Sequence, residues 1–127
     1  CGIRILGKEF VTLPAPPPEF DLGHWQVSLV RIRELNLKRM FCTHFGVVYD
    51  VDFHIDKLIS ELNLVVDYVK NMMSEGCDRD AMVTKYERWY RERAFSAGLS
   101  NEDLSKYETA NPFFMSVDGI MRYISKS

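Results

Sequence analysis

The sequence predicts an α+β fold that is mostly helical, with a few short strands for the helices to pack on. Three observations point there. Residues 50–75 place Ile55, Leu58, Ile59, Leu62, Val65, Val66, Val69, Met72 and Met73 three and four apart, the spacing of one buried helix face. Further helical patterns on either side begin at residues that cap helices. The β-branched and aromatic runs, by contrast, are short: GIRIL, EFVTL and MFCT.

Taken in order, residues 2–13 read as two extended segments, with Gly7-Lys8 as a two-residue hairpin turn. LPAPPPEFD follows. Four prolines within residues 14–18 fix φ and remove donors, so this stretch reads as a stiff, extended spacer. Asp21 stands where a helix N-cap belongs, and Trp25, Leu29, Ile32 and Leu35 give a helix over 22–35 its inner stripe. MFCT reads as a short buried strand that runs into a turn at Gly46. The long helix of 50–75 stops at Gly76.

Asp78 caps the next helix, in which Met82, Tyr86, Trp89, Tyr90 and Arg93 lie on neighbouring faces, and Gly98 ends it. Ser100 and Asp103 form a capping-box pattern with Asp in place of the usual Glu or Gln, opening a helix to about Tyr107. Asn111-Pro112 starts the last helix, with Phe114, Val117, Met121 and Ile124 as its inward face. The expected order is two strands, a helix, a strand and four helices. Residues 1–49 then form the end of a sheet layer, and 50–127 a helical segment, within one truncated domain. Three short strands do not make a self-sufficient sheet, and self-association through a strand edge or an apolar face is expected.

The 127 residues suit one domain, and 46% hydrophobic with 27% charged residues is an ordinary globular balance. A formal charge of −2 argues against a nucleic-acid-binding surface, which needs an excess of Lys and Arg. No apolar run approaches the ~20 residues that span a bilayer, so no membrane partner is expected. Three widely spaced cysteines, Cys1, Cys42 and Cys77, do not propose a disulfide framework, and reduced thiols in the cytoplasm are the expectation.

The chemistry-bearing candidates are few. His44 lies at the mouth of the MFCT strand, where open α/β architectures place ligand groups, and imidazole is the commonest neutral metal ligand. Thr43 before it can anchor backbone, and Gly46 lets the chain turn away. His54, in the first turn of the long helix, is a candidate to line the same cleft with Thr43, although solvation or a local hydrogen bond is the simpler expectation for it and for His24. Asp50 and Asp52 favour the positive end of the long helix. Tyr86, Trp89 and Tyr90 read as core or interface residues.

Two resemblances attach to these residues. Pro14–Asp21, Trp25, the Leu29/Ile32/Leu35 helix, Thr43-His44-Phe45-Gly46, the long helix from about Val51 and the late NPFFMSVDGIMRYISK together resemble the C-terminal half of metallo-β-lactamase-fold hydrolases of the glyoxalase-II-like branch. That resemblance spans most of the chain. It implies the C-terminal part of an αββα sandwich, with His44 as the last metal ligand in sequence. It also implies a divalent metal, zinc or else iron or manganese, that activates water against an ester or thioester-like bond. The HxHxDH half of that family does not occur in the chain. The resemblance therefore implies a C-terminal fragment, inactive alone, whose partner is the N-terminal half of the same protein. CGIRILGKEFV looks like the segment after the family's bridging aspartate.

The second resemblance is smaller. Cys1-Gly2-Ile3 resembles the mature start of N-terminal-nucleophile glutamine amidotransferases, in which the free amine activates the thiol of Cys1. Their following glycine is displaced here to Gly7, and their glutamine-binding segments are missing. An amidohydrolase built on Cys1 and a non-catalytic helical interaction module are the alternative readings.

Overall fold

The structure is a computed structural model that describes residues 2–5, 7–43 and 46–126. Among them, five helices and one small antiparallel sheet follow the order α1 (Leu22–Glu34), β1 (Met40–Cys42), β2 (Gly46–Val48), α2 (Val51–Ser74), α3 (Arg79–Ser96), α4 (Asn101–Ala110) and α5 (Phe113–Lys126). The chain is thus α+β and mostly helical, as expected. No helix among the described residues is long and apolar enough to cross a membrane.

The N-terminal segment departs from the expected hairpin. Ile3 and Thr12 exchange both backbone hydrogen bonds, at 2.7 and 3.0 Å, and form a single antiparallel bridge. A turn closes where Lys8 N–H donates to Ile5 O at 3.0 Å, with Gly7 at φ 81°. The ladder goes no further because a side chain takes its groups. Ile5 N–H donates to the Tyr107 hydroxyl at 2.9 Å, and that hydroxyl donates to Phe10 O at 2.6 Å. One tyrosine from α4 therefore satisfies two backbone groups that a second strand would have paired.

The proline run is a solvated spacer only in its second half, where Pro17 and Pro18 are exposed. Leu13 and Ala15 are buried, Asn111 Nδ2 donates to Leu13 O at 2.9 Å, and Ser116 donates to Asn111 Oδ1 at 3.1 Å. The run lies directly against Gly119 of α5. A methyl group on Gly119 would come within 1.7 Å of Ala15 O. Prolines suit this position because a chain pressed on a helix has few partners for backbone N–H groups, and proline has none to satisfy.

Asp21 caps α1, its carboxylate accepting from His24 N–H at 2.8 Å. Leu29 is buried, Trp25 and Ile32 are half-buried, and Leu35, expected inside, is 66% exposed. The helix stops at Glu34 and Asn36 turns at φ 50°, so Leu35 leaves the inner stripe. Gln26–Asn63 and Arg33–Asp56 hydrogen bonds join α1 to α2.

The expected MFCT strand is present as β1, but it is half-buried. Met40 and Cys42 face the core, and Phe41 faces out at 70% exposure. A second strand that the sequence reading did not include, β2, pairs with it, Met40 opposite Val48 and Cys42 opposite Gly46. A two-stranded ribbon has only one face to bury, which is why its side chains alternate.

Helix α2 is the central element and packs on α1, α3 and α5. Its periodic residues Ile55, Leu58, Leu62, Val65, Val66, Val69 and Met72 are buried as predicted, while Ile59 and Met73 are partly covered. Each fully buried aliphatic side chain contributes roughly 1.5–3 kcal/mol. Asp78 caps α3 through Ala81 N–H at 2.8 Å, and Ser100 and Asp103 form the reciprocal capping box of α4.

In α5 the expected face holds at Val117, which is buried, and at Met121 and Ile124, which pack against the core, but not at its first residue. Phe114 is 48% exposed, while Ser116, Val117, Gly119 and Ile120 are buried. Phe113 takes the inner place, its ring 4.8 Å from that of Tyr90.

Candidate functional site

The first candidate lies beside the hairpin. Arg4, Gly7, Val47, Val48, Tyr49 and Asp50 line a cleft of about 250 Å³. Its polar element is a clamp. Arg4 donates from Nη1 and Nη2 to the two Asp50 oxygens at 2.7 and 3.0 Å, and from Nε to Lys8 O at 2.5 Å. The guanidinium also lies over the Phe53 ring, 5.2 Å from its centroid. The Arg4 hydrogen bonds hold the Asp50 carboxyl below its ordinary range. The clamp joins the N-terminal segment to the start of α2. It also leaves Asp50 committed to Arg4 rather than to capping, since its side chain makes no cap hydrogen bond. Asp52 sits exposed in the first turn, as a dipole-favoured carboxylate should.

Thr43 is exposed in the turn that follows β1. His44, the expected metal ligand, and Cys1, the alternative nucleophile, lie outside the described residues. By sequence, His44 belongs to the connection between Cys42 and Gly46, which pair across the hairpin.

His54 is fully buried rather than solvated, and it is not among the residues that line the cleft. It occupies a core position because Val51, His54, Leu58, Glu61 and Val65 continue the i, i+3, i+7 register of the inner face of α2. Its Nε2 lies 4.0 Å from Cys42 Sγ. Burial pushes the Cys42 thiol up and pushes the imidazole down to about 4. Both groups are therefore neutral at pH 7. The pair lacks the thiolate and imidazolium of an activated cysteine.

The sign of the resulting pH dependence follows. The imidazole has its ordinary value of about 6.5 when unfolded, and about 4 when folded. Its contribution to stability is full above pH 6.5 and is lost as pH falls toward 4, by at most about 3 kcal/mol. Urea midpoints for the wild type and His54→Leu, measured from pH 7.5 to 4, should show the wild type losing stability relative to the variant on the acid side. Parallel curves would show that His54 titrates normally.

The sequence reading missed a second feature. Glu61, 5% exposed on α2, accepts from Arg93 Nη1 and Nη2 on α3 at 2.6 and 2.5 Å. Burial opposes the Arg93 charge, but the Glu61 carboxylate outweighs it and leaves the guanidinium above its ordinary value. Arg93 also lies 4.5 Å over Trp89, which stacks on Tyr68 at 4.0 Å. The pair borders a cleft of about 370 Å³ that includes Lys57, Ser60 and Leu64. The only sequence signal was register, since Glu61 falls on the inner face of α2 and Arg93 follows Trp89 by four. Both Glu61 oxygens and the Arg93 fork are occupied by each other, so the arrangement is a structural tie. Tyr86 and Tyr90 are core residues, and burial pushes both hydroxyls well above their ordinary value. His24, on α1, is solvated as expected.

No three His, Cys, Asp or Glu side chains among the described residues are grouped to hold a metal ion. Cys42 and His54 are buried under the hairpin, and Asp50 is held by Arg4. The described residues thus do not fit a metal on their own. No protein-family model, curated protein or solved structure matches the chain.

Proposed function

We propose that the chain is the helical half of a metal-dependent hydrolase of the metallo-β-lactamase type and that His44 is its one metal ligand. The N-terminal half of the same protein would supply the remaining ligands, and the substrate would be an ester or thioester. The observation that carries the reading is the antiparallel pairing of Met40–Cys42 with Gly46–Val48 just before the long helix, with the sequence Thr43-His44-Phe45 between them in the chain. The proline segment packed before α1 supports it, because the resemblance spans that segment as well. A catalytic zinc takes about three protein ligands. The chain alone is therefore expected to be inactive.

The test is to isolate the native protein from its source with an antibody raised against this chain, then to measure its mass, metal content and ester and thioester hydrolysis. A longer species that holds a divalent metal, and that loses activity more than about 100-fold on His44→Ala, is the expected result, since even an outer-shell change costs 10–100-fold. A native protein that binds no metal overturns the reading. Activity lost on Cys1→Ala and kept on His44→Ala would favour the amidohydrolase. Co-purification with another protein, without metal or hydrolysis, would favour an interaction module.

A further inference from the structure

The outer face of α1 is an exposed stripe that mixes apolar and charged side chains. Leu29 faces inward, and the opposite side carries Val27, Val30, Arg31 and Glu34 along one stripe, at i, i+3, i+4 and i+7. Val27 is 53% and Val30 48% exposed, and Leu35 just beyond the helix is 66% exposed. The charges on this helix divide in two. Arg33 is engaged by Asp56 of α2 at 2.5 Å. Arg31 and Glu34 are exposed and have no side-chain ion pair or hydrogen bond among the described residues. One unengaged cation and one unengaged anion thus sit a turn apart on an apolar stripe.

We infer that this stripe is a two-fold contact between copies of the chain, with α1 packed antiparallel on α1 of a second copy. A two-fold axis level with residues 32–33 sets Arg31 of each copy beside Glu34 of the other, so both charges are matched twice by one operation. The same axis sets Val30 against Leu35 of the other copy and leaves Val27 toward the outer ends. The charge pattern is what selects a second copy over an unrelated partner. It is complementary to itself under a two-fold rotation, whereas a foreign surface would have to mirror it. A contact of one short helix against another lies at the small, transient end of interfaces, so association belongs to high protein concentration. Its ion pairs, open to solvent in so small a contact, also make it weaken with salt. The inference stands apart from the metal reading, since no residue of the hairpin enters it.

The test is sedimentation of the chain over a range of concentrations at low salt, with helicity checked by circular dichroism. The wild type should pass from monomer to dimer. Arg31→Glu and Glu34→Arg, each of which puts like charges together, should weaken dimerisation about tenfold or more, as two ion pairs turn repulsive per dimer. Mixing the two variants should restore it, because each then offers the other its missing partner, and the double variant Arg31→Glu/Glu34→Arg should dimerise like the wild type. A wild type that stays monomeric throughout would overturn the inference. So would single reversals without effect, or single reversals whose loss is not regained on mixing.

Discussion

Gly119→Ala is expected to destabilise the protein by ~3 kcal/mol or more, although alanine is the better helix former. In an open helix position the exchange gains up to about 1 kcal/mol. Here the added methyl would lie 1.7 Å from Ala15 O and 2.8 Å from Ala15 C. Those are backbone atoms of a proline-rich segment, so no side chain can swing aside. The segment or the helix has to move, and overpacking a tight site costs roughly 1–3 kcal/mol and occasionally more. Gly23 in α1 supplies the control. Its nearest neighbour would be Asp21 Oδ1 at 3.4 Å, ordinary contact, and Gly23→Ala should be neutral or stabilising by about 0.5 kcal/mol. Urea unfolding of both variants checks the pair. If Gly119→Ala unfolds at the wild-type midpoint, the proline run does not rest on α5.

Arg93→Leu is expected to cost ~3–5 kcal/mol, the range for breaking a buried ion pair by removing one partner. The loss comes less from the missing attraction than from what stays behind. Glu61, with a side chain only 6% exposed, would keep its charge without either of its two donors. The double variant Glu61→Leu/Arg93→Leu should recover most of that cost, because two apolar side chains then fill the space and no orphan charge remains. A thermodynamic cycle from denaturant unfolding gives the coupling directly. A single variant that loses less than about 1 kcal/mol would mean that water reaches Glu61 and the tie is a surface pair.

Local rules accounted for the helices and failed where a distant residue decided. Asp21, Asp78, Ser100 and Asp103 announced their helices because a cap is a contact within four residues. The inner face of α2 followed from spacing alone, and the same spacing held the burial of His54 and Glu61, which their polarity disguised. The N-terminal hairpin shrank to one bridge because Tyr107, about a hundred positions away, takes its backbone groups. The proline run looked like a spacer because nothing near it in sequence covers it, and its cover is Gly119. For the candidate site, the strand at Met40–Cys42 was foreseen, but Thr43 was expected inside it and the turn at Gly46. Thr43 instead lies in the turn, and Gly46 opens β2, a strand that was not foreseen. The Arg4–Asp50 clamp joins groups 46 positions apart.

The ties between the two ends also bear on the order in which the chain can assemble during synthesis. Ile5, Phe10 and Leu13 are held by Tyr107 and Asn111, at separations of 102, 97 and 98 residues. Helices α2 and α3 are neighbours in sequence and can dock as soon as both have left the ribosome. The N-terminal ribbon and its prolines emerge before these helices and find their seat only when α4 and α5 are out. Until then Ile3, Leu13 and Phe20 have no cover. A nascent chain stalled before Asn101 should be a good client for a chaperone that grips extended apolar segments, and one long enough to have freed α5 a poor one.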